Sequence, residues 1–371
     1  MLGWVQSPGR VTTVSEVGLS SEYCSLRANI LSTVMKLENV ELQKLVSTAG
    51  TMNAGFYDTA ERYGSNLKTA IGMGWGETES LLSKLLTDTQ SNGIVATKFT
   101  PSPWRTTVQS VVDACEQSRQ RLGVEQIDLY QLHMPDIVQP LRAFGQEKVK
   151  DKVYWDGMAE CYHRGMIKNV GVCNYGPTLL MQCQDHLSKR GVPLVSNQIA
   201  YSLLGRHNGA QETVDTCNEM GVQVLAFFPF AMGLLTGKYS SDSKLVLTED
   251  DMLSLTQSKK TRLEERDLQR YAGRMGSLLE VMETIAKRRN KTVAQVALNY
   301  IICKGAIPIP GARTNAQLTD NLGALGWRLS KSEIGQLEAA TDALGFGFEG
   351  AGFKRTSEKF VGYGVERWVL E

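Results

Sequence analysis

The sequence predicts an α/β chain folded as a single-domain (β/α)8 TIM barrel, and three observations carry that expectation. Eight short apolar, β-branched runs alternate with amphipathic stretches through most of the 371 residues. The runs are mostly apolar rather than alternating apolar with polar, as strands of a parallel sheet covered on its outside must be. Eight is also the number of such strands that closes a barrel. On pattern alone, a doubly wound open sheet is the runner-up.

The candidate strands begin with "VSEVGL" (14–19), "AGFYD" (54–58), "GIVATK" (93–98) and "QIDLYQLH" (126–133). They continue with "IKNVGV" (167–172), "LVSNQ" (194–198), "VQVLAFF" (222–228) and "AIPIP" (306–310). Between them, "ETESLLSKLL" and "TTVQSVVDACEQSRQRL" repeat apolar residues at three and four, the period of a helix with one buried face. "GPTLLMQCQDHLSKRG" opens with Pro177 and stops at Gly191, the asymmetry expected of a helix. "GMGWGE" (72–77) imitates a dinucleotide-binding glycine turn, but it follows "NLKTAI" rather than a strand. It also lacks the G-x-G-x-x-G spacing, so a loop entering a helix at Glu77 is the expected structure. The charged segment 239–275 reads as an excursion near the barrel mouth. The tail 344–371 mixes glycine with aromatics and is expected to be a disordered end rather than a substrate-side flap. No linker or repeat divides the chain, so residues 1–371 are expected to form one domain.

Composition narrows the function classes. A content of 42% hydrophobic and 21% charged residues is that of a soluble globular protein. Forty basic against 39 acidic residues leave a net charge of +1, so no global field favours nucleic acid or an anionic membrane. No run of eighteen apolar residues offers a membrane span. The start "MLGWVQSPGRVTTVSE" has neither a signal-peptide apolar core nor a basic, Ser-rich transit peptide. Seven cysteines without a CxxC pair read as reduced thiols in an intracellular compartment. Cys161-x-His163 and Cys183-x-x-His186 lack further ligands, and no metal is expected.

In a parallel barrel, chemistry collects at the C-terminal ends of the strands. Asp58, Lys98 and His133 end the second, third and fourth runs, and Tyr63 lies just beyond Asp58. Taken singly, these are a polar turn, a solvated lysine and a core histidine. Taken together on neighbouring strands, they put an acid, an amine, an imidazole and a phenol on one rim.

At these residues the chain resembles the aldo-keto reductase family. The resemblance is carried by "FYDTAERYG", "VATKF", "DLYQLHMPD", "VGVCNYGP", "SNQIAYSLL", "GLLTGKY" and "IPIPGARTNAQLTDNLGAL", in order from about residue 54 to about 340. "ATKFTPSPWR" and "WDGMAECYHRGMIKNVGVCNYGP" are similar to plastid members of plants and algae, including pyridoxal-reductase-like ones. The resemblance implies reduction of an aldehyde or ketone with NADPH, the hydride coming from the nicotinamide and the proton from Tyr63. Lys98 would lower the phenol's reluctance to ionise, Asp58 would keep Lys98 charged, and neutral His133 would orient the substrate oxygen. The resemblance also implies a carboxamide site at Asn174 and Gln198 beside Cys173, and a ring face for the nicotinamide at Phe227. It implies backbone N–H groups at Gly233 to Leu235, with Lys238, for the pyrophosphate. A 2′-phosphate clamp at Arg313 beside Gly311, with Gln317 and Asn321 on the adenine side, favours NADP+/NADPH. Two departures stand out: Ser20 in "VGLSS" and the segment 22–38 differ from the family pattern, and Cys173 stands where a serine is usual. The partners expected are a small carbonyl substrate and at most a weak homo-oligomer, in a plastid by resemblance or otherwise in the cytoplasm. The alternative is a cofactor-sensing regulatory subunit with slow turnover.

Overall fold

A computed structural model of the chain describes residues 39–52, 55–63, 75–102, 104–136, 150–207, 209–238 and 275–344. The first candidate strand, "VGLSS", the charged excursion 239–274 and the tail from residue 345 lie outside these described residues. So do the glycines at 72 and 74.

The described chain runs α1 (Asn39–Thr51), β1 (Phe56–Asp58), α2 (Glu77–Thr89), β2 (Ile94–Phe99), α3 (Val108–Leu122) and β3 (Leu129–Leu132). It continues through α4 (Asp151–His163), β4 (Val170–Cys173), α5 (Pro177–Ser188), β5 (Leu194–Ala200), α6 (Ala210–Met220) and β6 (Gln223–Phe227). After a 3₁₀ turn (Ala231–Thr236) come α7 (Gly276–Arg289), α8 (Val293–Cys303), β7 (Ala306–Pro308), α9 (Asn315–Leu322) and α10 (Lys331–Ala343). Seven of the eight expected strands are therefore present, each one to four residues shorter than its apolar run or shifted by that much at an end.

All strand pairs are parallel, and the order in the sheet is the order in the chain, β1 through β7. A doubly wound sheet reverses its order at a switch point, and this one does not. The architecture is that of the (β/α)8 barrel.

Two separate apolar clusters confirm the curl. The large one lies between strands and helices and includes Tyr57, Val95, Phe99, Tyr130, Leu132 and Val224 together with helix residues such as Leu82, Val111 and Trp155. The small one gathers Phe56, Ala96, Leu129, Val195, Leu225 and Ile307, one residue from each of six strands. Side chains alternate faces along a strand, so one cluster fills the inside of the barrel and the other covers its outside.

The alternation positions the site. Asp58 lies two residues after Phe56, Lys98 two after Ala96, and Gln131 two after Leu129. Each therefore points inward, one layer above an apolar floor. Gln198 of β5 joins the same layer by its bond to Asp58.

Local chemistry fixes the helix starts. Thr107, Thr292 and Ser330 cap α3, α8 and α10, each in a reciprocal capping box with the residue three positions on. α2 begins instead at Gly76, whose φ is 95°. A Cβ there would lie 2.1 Å from Arg121 Cδ. Arg121 cannot easily retreat, because its Nε donates to Glu79 Oε2 at 2.6 Å and Glu79 is fully buried. Gly76→Ala thus combines left-handed strain with a clash, and is expected to cost on the order of 2 kcal/mol. Thermal unfolding of that variant should fall by several degrees; an unchanged midpoint would show that the turn relaxes freely.

Candidate active site

β1, β2 and β3 deliver the four residues predicted from the sequence to one place. Lys98 is completely buried, and its Nζ donates to Asp58 Oδ2 at 2.6 Å, to the Thr59 carbonyl at 2.9 Å and to the Tyr63 hydroxyl oxygen at 3.2 Å. An ammonium has three donors, and all three are spent. The Tyr63 oxygen is an acceptor in this contact, so its own proton is directed elsewhere. The edge of one ring meets the face of the other between Tyr63 and His133, with centroids 5.6 Å apart and planes at 79°. Both of those side chains keep part of their surface open.

Asp58 is held from both sides. Besides Lys98 on Oδ2, its Oδ1 accepts from Gln131 Nε2 at 3.2 Å and from Gln198 Nε2 at 3.0 Å. Gln131 was not foreseen from the sequence, although its two-residue spacing from His133 in "DLYQLH" already puts it on the same face. Cys173 Sγ lies 3.8 Å from Gln131 Oε1, toward which it donates. Thr100, also unforeseen, sets its hydroxyl 3.3 Å from His133 Nδ1.

Electrostatics follow from this burial. Loss of solvent pulls the Lys98 pKa down, but the Asp58 carboxylate, with Tyr63 and Cys173, more than offsets it and the net shift is upward. The ammonium is therefore charged throughout the neutral range. Burial raises the Tyr63 pKa, Lys98 opposes it and Asp58 reinforces it, leaving the phenol above its usual value. The sequence expectation was a phenol eased toward ionisation; in this state desolvation wins and Tyr63 is a protonated phenol. His133 is driven well below its ordinary value by burial, then by the Lys98 and Arg62 charges, so its ring is neutral. Burial likewise raises the Cys173 thiol, against the pull of Lys98.

The other predicted residues fall into two groups. Cys173 and Asn174 leave β4 on the same rim, where Asn174 donates from its backbone N–H to the Gln198 carbonyl at 2.9 Å and from Nδ2 to the His133 carbonyl at 3.3 Å. Asn174 has a φ of 62°, a left-handed conformation that asparagine tolerates. Phe227 ends β6 half-exposed, paired in register with Ala200 of β5. Farther along the chain, Arg313 and Gln317 meet at the start of α9, with Arg313 N–H donating to Gln317 Oε1 at 2.7 Å. Gly311 is exposed there, Arg313 half-buried and Asn321 buried.

The segment expected to meet the pyrophosphate folds back on itself. Gly233 and Leu235 were expected to offer backbone N–H groups, but both N–H groups close onto the Phe230 carbonyl, at 3.0 and 3.1 Å. Gly233, with a φ of 98°, winds this segment into a 3₁₀ turn that satisfies its own donors. Leu235 is buried, while Lys238 at the end of the turn is exposed. The histidines considered for a metal have protein partners: His163 Nε2 lies 3.0 Å from the Arg190 carbonyl and His186 Nε2 2.8 Å from Asp156.

The depressed His133 pKa sets a pH signature. Above about pH 6.5 the ring is neutral both folded and unfolded, and its burial carries no protonation penalty. As pH falls below that value, the unfolded chain binds a proton that the folded ring refuses, and stability is lost. Wild type should lose more stability than His133→Gln between about pH 7 and 5 in denaturant titrations. The His133 C2–H resonance should show no inflection near pH ~6.5, and one at that value would contradict the assigned environment.

Comparison with known proteins identifies the family and the fold. The Aldo/keto reductase family matches residues 32–342. The chloroplastic pyridoxal reductase of Arabidopsis thaliana is 36% identical over 306 residues, which is 81% of this chain and 76% of that protein. An aldo-keto reductase of Strobilurus tenacellus is 28% identical over 310 residues, 78% of each chain. Among solved structures, a thermostable aldo-keto reductase in complex with the inhibitor epalrestat superposes with a TM-score of 0.60 at 22% identity, covering 91% of this chain and 99% of that one. The aldose reductase from Schistosoma japonicum gives 0.58 at 18% identity, over 85% and 87% of the two chains. These structural likenesses speak for the barrel. With the family matched across most of its length, the chain belongs to the aldo/keto reductase family and is an NAD(P)H-dependent oxidoreductase acting on carbonyl groups.

Proposed function

We propose that the protein reduces an aldehyde to an alcohol with NADPH, using Tyr63 as the proton donor. The observation that carries this reading is the Lys98 ammonium, bonded at once to Asp58 and to the Tyr63 oxygen.

The chain's residues fit a nicotinamide nucleotide. Gln198 and Asn174 each donate one amide N–H, to Asp58 and to the His133 carbonyl, and their amide oxygens would be the acceptors for a carboxamide NH₂. Phe227 supplies a half-exposed ring face nearby. Arg313 stands at the N-terminus of α9, capped by Thr314, where a phosphate is favoured. These features support Asn174, Gln198, Phe227, Lys238, Gly311, Arg313 and Gln317 as cofactor contacts, with Arg313 taking the 2′-phosphate of NADPH. When bound, the reduced nicotinamide supplies the hydride for the substrate carbon.

The remaining chemistry belongs to the chain. His133 is neutral with Nδ1 3.3 Å from the Thr100 hydroxyl; in the tautomer whose Nδ1 accepts from Thr100, its Nε2 proton is free to donate to the substrate oxygen. That contact aligns the oxygen with Tyr63, whose proton neutralises the developing alkoxide. A buried phenol is a reluctant acid. The fixed ammonium 3.2 Å away stabilises the phenolate as the proton leaves, and so acts where charge appears during the reaction.

The likeness to a chloroplastic pyridoxal reductase supports an aldehyde on an aromatic heterocycle as the substrate class, and a plastid as the compartment. Tyr63→Phe should lower turnover of pyridoxal or a reactive test aldehyde by about 10²-fold or more while NADPH binding, read by fluorescence titration, stays within about twofold. Retained turnover would remove Tyr63 from its role. Arg313→Gln should weaken NADPH binding about 10-fold and leave NADH nearly unaffected; equal losses for both would remove the 2′-phosphate contact.

A further inference from the structure

A second buried ion pair lies directly behind the site. Glu61 is two residues before Tyr63, and its side chain is 1% exposed. Glu61 Oε1 accepts from the Thr100 backbone N–H at 2.6 Å and from Arg105 Nη1 at 2.5 Å, and Oε2 accepts from Arg105 Nη2 at 3.2 Å. The guanidinium is a two-pronged clamp, the geometry that orders a carboxylate rather than merely neutralising it.

Arg105 is itself immobilised. Its guanidinium carbon lies 4.5 Å from the Trp75 ring centroid and 5.0 Å from that of Phe99, and its Nη1 donates to the Thr100 carbonyl at 3.3 Å. Its own carbonyl accepts from the Tyr154 hydroxyl at 2.9 Å. The turn that carries Tyr63 is tied down at further points: Gly76 N–H donates to the Glu61 carbonyl at 2.6 Å, and Thr78 Oγ1 donates to the Tyr63 carbonyl at 3.4 Å. One carboxylate thus connects the turn bearing Tyr63 to Thr100, whose hydroxyl meets His133 Nδ1.

We propose that Glu61 and Arg105 are a positioning pair, which fixes the Tyr63 hydroxyl and, through Thr100, the His133 ring in the one relative placement that the proton transfer needs. Neither residue touches the substrate oxygen; the pair acts through two groups that do. Burying two charges is costly and is seldom retained for stability alone, since apolar residues of like volume hold a fold as well. What the pair supplies is geometry, and displacements of about 1 Å at a reacting group cost up to ~10²-fold in rate.

The proposal rests on Tyr63 as proton donor, and the test separates the two. Purified Glu61→Gln, Arg105→Lys and Glu61→Gln/Arg105→Met are compared with wild type and Tyr63→Phe by thermal unfolding and steady-state reduction of a test aldehyde. Turnover is normalised to NADPH sites counted by fluorescence. Glu61→Gln keeps the shape of the side chain but loses the charge, and should lower kcat by about 10-fold or more, with the Kd of NADPH unchanged. The solvent deuterium isotope effect on kcat should rise, because donation from a misplaced phenol becomes the slow step. Arg105→Lys keeps the charge and loses the clamp, and should show the same split less severely; it also serves if Glu61→Gln does not fold. The double variant removes both charges, and should regain Tm without regaining kcat. If kcat per site recovers along with Tm, or is unchanged in both single variants while Tyr63→Phe is inactive, the pair is structural only. Full activity in Tyr63→Phe would instead overturn the proton donor itself.

Discussion

The site is organised around one desolvated ammonium. An unpaired buried lysine would shed its proton, and a shed proton would leave Tyr63 without a cation. Asp58 prevents this at 2.6 Å, and the pair is workable because further hydrogen bonds compensate both buried charges. The third acceptor on Lys98 is the Thr59 carbonyl, and the Asp58 oxygen facing away from Lys98 takes two amide donors. Removing any one of these partners leaves charge without compensation in a place water does not reach.

The barrel is what makes so demanding an arrangement affordable. Asp58, Lys98, Gln131 and Gln198 come from four strands whose register is set by backbone hydrogen bonds, so their separations are not left to flexible loops. Beneath them, the apolar layer of Phe56, Ala96 and Leu129 keeps the dielectric low and strengthens each contact above. The loop residues are treated differently. Tyr63 and His133 lie beyond the regular strands, and that is where a second ion pair, Glu61 with Arg105, supplies the rigidity that strand pairing no longer gives.

Much of this was legible in the sequence, for reasons that particular residues make plain. The strand ends at Asp58, Lys98 and His133 showed as polar residues closing apolar runs, because burial on both faces leaves few polar positions in such a strand. Gln131 was hidden by the same logic: inside "DLYQLH" it looked like one polar residue in a strand, and only the inward face it shares with His133 marked it. Glu61 was hidden because its partner is 44 residues away, in a loop without a periodic pattern. At Gly233 the sequence is ambiguous, since a glycine at positive φ can either open a backbone to a ligand or wind it onto its own carbonyls, and here it winds. At Tyr63 the pull of Lys98 toward ionisation is present as expected, but desolvation, which a sequence does not display, outweighs it.

The protonation state of Lys98 is the point on which the whole arrangement stands. Nitrogen-15 NMR of the Lys98 ammonium in wild type and in Asp58→Asn, over about pH 6 to 10, measures it directly. A wild-type Lys98 that remains protonated across that range, beside an Asp58→Asn Lys98 that titrates well below the ordinary lysine value of about 10.4, is the predicted result. Identical titrations in the two proteins would contradict it.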